Sequence, residues 1–316
     1  MGDLITKSSK PGKKNSNFFS IIESYSKKSL LKIIVYLLAA MGASGYGKKG
    51  YHLWKYRPVF FVPGLSGCFG PQTTDYFNGS YAVNEQTILT ATNINGQIEI
   101  TSWDGNNVTI NAVKKSSFGQ EELDKIDINV TSVGNYLNIQ TKYTGLSAIR
   151  GSVDMNIKVP YTIRIESVTT SNGAIQITDT NGDIKTSSSN GAIIINTVDG
   201  YVSAETSNGR IEVKGTTGIK DSIRTSNGAI TVEVADFRDD ITIDTSNGPV
   251  AVYLNPSLNA MIEMATSNGQ ITFEEISLNV QLLEQTHVIG SLGSNGHEID
   301  IHTSNGKIQL LKKINN

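Results

Sequence analysis

Apolar and polar residues alternate along the second half of the chain in short segments, and each segment follows an Asn-Gly pair. In Thr206-Ser-Asn-Gly-Arg-Ile-Glu-Val213, the second and fourth residues after the pair are apolar and the residue between them is polar. Alternation with a period of two is typical of a strand with one buried face. The same two positions are apolar after the other copies of the motif, at Ile175 and Ile177, Ile193 and Ile195, Ile230 and Val232, Val250 and Val252, Ile271 and Phe273, and Ile308 and Leu310.

The motif recurs at nearly constant spacing, which indicates a structural repeat. The asparagines of the first six copies are 18, 18, 19, 20 and 21 residues apart, and a partial copy, Gly293-Ser-Asn-Gly296, lies in the longer last step. Because Asn-Gly readily adopts positive φ, we expect each pair to form a tight corner. The predicted corner residues are Asn172, Gly173, Asn190, Gly191, Asn208, Gly209, Asn227, Gly228, Asn247, Gly248, Asn268, Gly269, Asn305 and Gly306.

Each repeat contains two strands, because apolar residues also alternate before the motif and lesser corners lie midway, at Asn181-Gly182, Asp199-Gly200 and Thr217-Gly218. A unit of 18–21 residues therefore forms one flattened coil, which cannot bury its own apolar residues. We predict an all-β fold, a β-solenoid in which stacked coils enclose Ile and Val and carry ladders of Thr, Ser and Asn at their corners.

Irregular segments flank the repeats. Residues 86–160 show strand alternation at uneven spacing, with one helical turn predicted over 119–126, and we expect them to form opening coils that cover the edge of the solenoid. Residues 161–312 are the predicted regular solenoid, and 313–316 a tail. Pro249 is expected on an outward strand position, where it would remove one ladder donor and weaken its coil.

The last step of the repeat is longer than the others. It runs over 37 residues from Asn268 to Asn305. We interpret it as a loop excursion followed by a closing coil over 298–311.

Residues 1–67 combine basic and apolar segments. The apolar segment 30–43 is shorter than the roughly 20 residues of a membrane helix. Three interpretations therefore stand side by side: a short membrane helix, the apolar part of a signal peptide, and a soluble amphipathic helix. Leu65-Ser-Gly-Cys68 resembles the lipobox of prokaryotic lipoproteins, which implies lipidation of Cys68, the single cysteine. The alternative is a small apolar residue in a linker. The sequence is compatible with a translation start at either Met1 or Met41.

Residues 68–85, rich in Gly, Thr, Asn and Tyr, are predicted to form a tether between the anchor and the solenoid. Asn78, Asn107 and Asn129 match the glycosylation acceptor pattern, which matters only in a host that glycosylates its surface proteins.

Four motifs together carry a resemblance to a known family. They are the Thr-Ser-Asn-Gly-x-Ile-x-Val repeats, the opening Asn93-Ile-Asn-Gly-Gln-Ile-Glu-Ile100, the segment Asn156-Ile-Lys-Val-Pro160 and the closing Ile299-Asp-Ile-His-Thr-Ser-Asn-Gly-Lys-Ile308. Over residues 75–312 the chain resembles the putative adhesin domain-of-unknown-function family of bacteria and archaea. The resemblance implies a β-solenoid of the cell envelope, often on a lipid anchor or membrane helix. It implies no activity or ligand and transfers no functional residue.

Little in the sequence indicates chemistry. The net charge is −2, and neither sign is concentrated in the repeats, which disfavours nucleic-acid binding. No catalytic, cofactor-binding or metal-binding residue is predicted. In His297-Glu-Ile-Asp-Ile-His302, alternation places Glu298, Asp300 and His302 outward, but ~6.5–7 Å apart along a strand, which favours a solvated face. Other carboxylates are scattered over different coil positions, at Asp179, Asp183, Glu205, Glu212 and Asp221.

The outward faces are the remaining surface for function. Ala174, Ala192, Ala229 and Ala251 lie close to one outward column, which Arg210 and Gln270 interrupt. Such a flat face could contact a glycan or another surface protein, or be a solvated wall.

We therefore expect a non-enzymatic, extracytoplasmic protein of the cell envelope, held at the membrane by a lipid or helix anchor and displaying a structural or adhesive solenoid. An enzyme or binding protein acting on envelope polysaccharide is one alternative, and a membrane-tethered regulatory scaffold is another. The ligand, the oligomeric state and the handedness of the coils are open.

Overall fold

The structure, a computed structural model, describes residues 72–145, 149–294 and 296–314. The first part of this region contains seven strands and one short helix, α1 (Gln120–Leu123), which coincides with the predicted helical turn. The strands are β1 (Thr73–Ala82), β2 (Ile88–Asn95), β3 (Ile98–Trp103), β4 (Asn107–Ser116), β5 (Ile126–Val133), β6 (Tyr136–Tyr143) and β7 (Gly151–Pro160).

The part of the chain that carries the repeated motif continues as strands, interrupted by the corners. They are β8 (Arg164–Asn172), β9 (Ile175–Asn181), β10 (Ile184–Asn190), β11 (Ile193–Asn208), β12 (Ile211–Asn227), β13 (Ile230–Val234), β14 (Ile241–Asn247), β15 (Val250–Leu254), β16 (Ala260–Asn268), β17 (Ile271–Glu274), β18 (Asn279–Leu283), β19 (His287–Leu292), β20 (His297–Asn305) and β21 (Ile308–Lys312).

All these strands belong to one continuous sheet that surrounds an apolar core. We call the strands that lead into the Asn-Gly corners the leading wall, and those that follow the corners the following wall. β11 and β12 bend between the walls and pair within both. Across the leading wall the order is β5-β6-β2-β8-β10-β11-β12-β14-β20-β16-β19-β18, and across the following wall it is β1-β4-β7-β3-β9-β11-β12-β13-β15-β21-β17.

The core consists of aliphatic columns that run through the stacked coils. Equivalent residues of neighbouring coils pair in parallel register, so each buried residue packs on its counterpart above and below. At ~1.5–3 kcal/mol for each buried aliphatic side chain, such columns offset the entropy lost on ordering the coils. The all-β solenoid predicted from the sequence is therefore confirmed. The first column after the corner is at most 1% exposed at Ile175, Ile193, Ile211, Ile230, Val250 and Ile308.

The spatial order of the coils differs from the chain order at both ends. The prediction that the last coil closes the solenoid is wrong. Coil 297–312 (β20 and β21) lies between coil 241–254 and coil 260–274 and pairs with both. At the other end, coil 88–103 (β2 and β3) lies between β6 and β7 on one side and β8 and β9 on the other. Each coil presents the same columns, so the repeat alone does not determine which coil is outermost.

Antiparallel strands cover the ends of the stack. The predicted tether is wrong for residues 73–82, because β1 pairs antiparallel with β4 along its whole length, and Asp75 contacts Lys114 at 3.4 Å. Alternation is weak in β1 because only one of its faces is half-buried. At the other end β19 pairs antiparallel with β16, and β18 with β19. The region expected to be a loop excursion is therefore largely this pair of strands.

Most Asn-Gly pairs of the repeated Thr-Ser-Asn-Gly motif form corners without the positive φ that we expected. Among the repeated pairs, only Gly248 has a positive φ, at 157°. Glycine is needed instead because the corners stack so closely that a Cβ atom on Gly209 would collide with the backbone carbonyl of Gly191. Positive φ occurs four residues after the first core residue of the following strand, at Asp179, Thr197, Gly215 and Glu275, with values of 55–61°.

Pro249 does not weaken its coil in the predicted way. It lies in the corner between β14 and β15, and the ladder bonds on either side of it are intact: Ile230 N donates to Pro249 O at 3.0 Å, and Val250 N donates to Lys307 O at 2.9 Å. The neighbouring carbonyl of Gly228 accepts from the hydroxyl of Thr245 at 3.1 Å. A corner of this kind therefore does not require a backbone donor at residue 249.

Candidate binding site

The first corner carries a continuous ladder of asparagine side chains. In each pair, Nδ2 of one asparagine donates to Oδ1 of its neighbour, with distances of 2.7–3.0 Å. The seven predicted corner asparagines all lie on this edge, and Asn95 of the opening coil extends it. The spatial order is Asn95, Asn172, Asn190, Asn208, Asn227, Asn247, Asn305 and Asn268.

The first residue of each motif is buried and supports the same corner. Thr206 Oγ1 donates to Gly191 O at 3.1 Å, and Thr225 Oγ1 donates to Gly209 O at 3.0 Å. Ser188 makes the equivalent bond to Gly173. These hydroxyl groups satisfy carbonyl groups that the tight corner leaves without a backbone donor. The motif is therefore scaffold, and a binding site must be sought elsewhere.

One polar surface lies on the outside of the leading wall, over the last three coils. Asp300 and Glu263 are direct partners across β20 and β16. His302 Nδ1 lies 3.0 Å from Asp244 Oδ1, and His287 Nε2 lies 2.9 Å from Glu263 Oε1. Partial burial, together with the charge of Glu263, raises the pKa of Asp300. This acidic surface forms a recess of about 300 Å³.

The acidic surface also includes Asp240, whose Oδ1 accepts from Glu298 N at 2.8 Å. That bond and the nearby His297 side chain lower the pKa of Asp240. Within residues 72–145, 149–294 and 296–314, no three His, Cys, Asp or Glu side chains are placed to hold a metal ion. Sequence reasoning missed the contact between His302 and Asp244 because it placed the closing coil beyond coil 260–274, instead of between coil 241–254 and coil 260–274.

A second polar surface is a cleft of about 380 Å³ at the second corner of the central coils, which we call the Tyr201 cleft. Tyr201 is 7% exposed, and its hydroxyl donates to Asp236 Oδ2 at 2.6 Å. This hydrogen bond, together with burial, raises the pKa of Tyr201. The guanidinium group of Arg238 stacks on the ring, 3.8 Å from its centroid. Tyr201 is thus a fixed support for the side chains around it.

Asp183 fixes the other side of Arg238 and orders the cleft. Its Oδ2 accepts from Arg238 Nη1 at 3.0 Å, while its Oδ1 accepts from Tyr201 N at 2.9 Å. Asp199 accepts from the Thr217 hydroxyl at 3.2 Å. The corners bring these residues from different coils to one place, together with Arg164 and Glu166 at the rim. Of the carboxylates that seemed scattered in the sequence, Asp183 therefore belongs to a common site.

The Tyr201 cleft combines hydrogen-bond donors and acceptors, of which Arg238, Asp183 and Asp199 are held by hydrogen bonds. Arg164 and Arg238 offer guanidinium N–H groups, and Glu166, Asp183 and Asp199 offer carboxylate oxygens. With two cationic and three anionic groups, the cleft is close to neutral, so it lacks the strong positive charge that a polyanion needs. Such a set suits a ligand that both donates and accepts hydrogen bonds.

The other predicted positions lie elsewhere. Cys68 and the segment 30–43 fall outside the described residues, and no helix in the described part of the chain is long and apolar enough to cross a membrane. The alanine column holds Ala174, Ala192 and Ala229, whereas Ala251 belongs to the adjacent column, because it pairs with Thr231. Asn78 and Asn107 are exposed, on β1 and β4, and Asn129 is half-buried on β5.

Comparison with known proteins points to one family. The model of the Toastrack domain of unknown function matches residues 204–311. A "putative cell adhesion protein" from Clostridium sporogenes is 14% identical, with a TM-score of 0.34, and 76% of this chain and 100% of that chain are covered. A "putative adhesin" from Bacteroides fragilis is 12% identical, with a TM-score of 0.35, and 76% of this chain and 97% of that chain are covered. A "putative lipid binding protein" from Parabacteroides distasonis is 12% identical, with a TM-score of 0.31, and 75% of this chain and 96% of that chain are covered.

Likenesses at these TM-scores extend neither fold nor function to this chain, and no curated protein matches it. The family match covers the C-terminal half of the stack, from within β11 to β21, and includes five of the complete motifs. Over residues 204–311 the chain is therefore similar to the Toastrack domains of unknown function, in agreement with the resemblance to putative adhesins that its repeated motif carries.

Proposed function

We propose that this protein is a non-enzymatic display module of the cell envelope, in which the solenoid is a rigid scaffold and the Tyr201 cleft binds a hydroxyl-rich, uncharged ligand such as a glycan. The observation that carries the proposal is the ion pair of Arg238 and Asp183, in which the Arg238 guanidinium group stacks on the buried Tyr201 ring. A side chain held in place before binding loses little entropy when a ligand forms hydrogen bonds with it.

The ligand class follows from the groups that line the cleft. Sugar hydroxyls donate to carboxylates and accept from guanidinium groups, and both kinds of group lie side by side here. The near balance of charge argues against an anionic or cationic ligand as the main occupant. The cleft is open to solvent and lies on the second corner of the coils, so it can meet an extended chain.

Binding can be tested by calorimetry against neutral oligosaccharides from bacterial envelopes, with the full-length protein. We expect Arg164→Ala and Asp199→Asn to weaken binding by about tenfold each, because each removes a charged hydrogen-bonding partner. Arg210→Ala is the matched control, because Arg210 is exposed on the opposite corner. Binding that is unchanged in the cleft variants, or lost equally in the control, would overturn this assignment.

We also propose that the module is held outside the cytoplasm by a lipid on Cys68. The support is the sequence Leu65-Ser-Gly-Cys68, which follows a basic and apolar segment in the order of a lipoprotein signal. Mass spectrometry of the membrane-extracted protein should show a diacylglyceryl group on Cys68, and Cys68→Ser should move the protein out of the membrane fraction. Membrane retention of an unlipidated Cys68→Ser variant would instead favour a helical anchor.

A further inference from the structure

Coil 297–312 occupies a slot between two coils that match each other. On one side β20 pairs with β14 and β21 pairs with β15, and on the other β20 pairs with β16 and β21 pairs with β17, all in parallel register. In chain order, coil 241–254 is followed directly by coil 260–274, and their asparagines are 21 residues apart, a step close to the regular repeat.

The two sides of the slot are equivalent in register. Ile301 pairs with Ile243 on one side and Met264 on the other. Asn305 likewise lies between Asn247 and Asn268, and Ile308 between Val250 and Ile271. If coil 297–312 left the slot, the two sides could pair with each other through the same residue types. An open slot would therefore not leave two unpaired edges in the core.

Coil 297–312 is also bound almost entirely through its two neighbouring coils. Its polar contacts are to adjacent strands or their ends, as in the His302 contact with Asp244 and the Thr303 hydroxyl bond to Gly248 O at 3.0 Å. The chain reaches it through a short connection after β19, where Ser294 N donates to Asn259 Oδ1 at 2.9 Å. A copy of the coil from another molecule could form all of these contacts except those of the connection.

We propose that coil 297–312 is an exchangeable element, and that two copies of this chain join by each inserting this coil into the other's slot. The partner is therefore a second copy of this chain. Reciprocal exchange preserves every strand pair of the single chain and changes only the path of the connection near Ser294, which is why exchange of an identical element is an inexpensive route to a dimer. Pairing between the two sides of the slot lowers the cost of the intermediate in which the coil has left.

The test uses disulfide formation between two full-length copies, both in a Cys68→Ser background. One copy carries Thr242→Cys and the other Asp300→Cys, which are register partners across the slot. Neighbouring strands bring such positions within the Cα separation that a disulfide requires. The copies are mixed in a urea concentration that opens the ends of the solenoid, diluted into buffer, oxidised and separated by size. We expect disulfide-linked dimers.

The control is the same experiment with Thr169→Cys and Ser187→Cys on separate copies, since these are register partners in central coils that follow chain order. We expect no linked dimer above background. A single chain with both Thr242→Cys and Asp300→Cys should close its own disulfide, which shows that the slot accepts both residues. Linked dimers in equal amounts in test and control, or in neither, would overturn the proposal.

Discussion

The central coils and the end coils of this solenoid share one cross-section but differ in how the chain fills it. Between residues 164 and 254, each coil stacks on the coil that precedes it in the chain. At each end, the coil that is terminal in the chain order is not the outermost one. Coil 88–103 has β6 and β8 on its two sides, and coil 297–312 has β14 and β16. Antiparallel strands then cover the outer coils.

This difference shows that the repeat and the irregular segments specify different properties. The repeat sets the register and the width of the coil, because equivalent side chains must meet in the core. The irregular segments set which coil is outermost. A central coil is held by identical corners on two sides, whereas an outer coil such as 260–274 has such a neighbour on only one side. The same substitution should therefore cost more in the centre.

The largest expected effect is at the corner glycine. Gly209→Ala should lower the free energy of unfolding by about 3 kcal/mol, because the new Cβ atom collides with the carbonyl of Gly191. Gly269→Ala creates the same collision with Gly306, but in an outer coil that can shift, so we expect about half the loss. Urea unfolding followed by circular dichroism measures both. Arg210→Ala serves as the neutral control, and equal losses at both glycines would contradict the comparison.

The asparagine ladder gives a smaller contrast of the same kind. Asn208 donates to Asn190 and accepts from Asn227, so Asn208→Ala removes two hydrogen bonds and should cost about 1.5 kcal/mol. Asn268 donates to Asn305 at the end of the ladder, and Asn268→Ala should cost about 0.5 kcal/mol. The same unfolding experiment compares them, and a larger loss at Asn268 would show that the ladder is weaker in its centre.

A stabilising change is expected inside the central coils. The Thr180 hydroxyl is buried with no hydrogen-bond partner, while the equivalent position in the next coil is Val198. Thr180→Val should raise the free energy of unfolding by about 1 kcal/mol, since it removes an unsatisfied polar group and keeps the shape. Thr216→Val is the matched control, because the Thr216 hydroxyl donates to Gly218 O at 3.3 Å. A gain in the control but not at Thr180 would refute this account.

The smallest effect concerns the acidic surface of the end coils. Because the pKa of Asp300 is raised in the folded protein, the folded state holds this proton more tightly, and stability is lost as the pH rises through that pKa. Asp300→Asn should therefore stabilise the protein at pH 7 by a few tenths of a kcal/mol, roughly the cost of like charges on opposing strands. The gain should vanish in acid, below the pKa of about 3.9 of an unfolded aspartate. Asp127→Asn, at an exposed position of β5, is the control and should leave the free energy of unfolding at pH 7 unchanged.

The sequence predicted the coil but not its arrangement. Alternation after Asn-Gly located the strands, because a buried face requires apolar residues at every second position. It could not place coil 297–312, whose Ile299 and Ile301 fit any coil edge equally well. It also missed the Tyr201 cleft, since Asp183, Tyr201 and Arg238 meet only when four successive coils are stacked. β1 was missed because a covering strand with one half-buried face has no strong pattern.

The ladder of corner asparagines has a direction, since every amide nitrogen along it donates toward the coil of Asn95. Side-chain amides are dipoles, and here they are aligned head to tail instead of cancelling. The edge therefore carries a small net polarity, positive toward the opening coils and negative toward coil 260–274. Two molecules approaching side by side along these edges would prefer an antiparallel orientation.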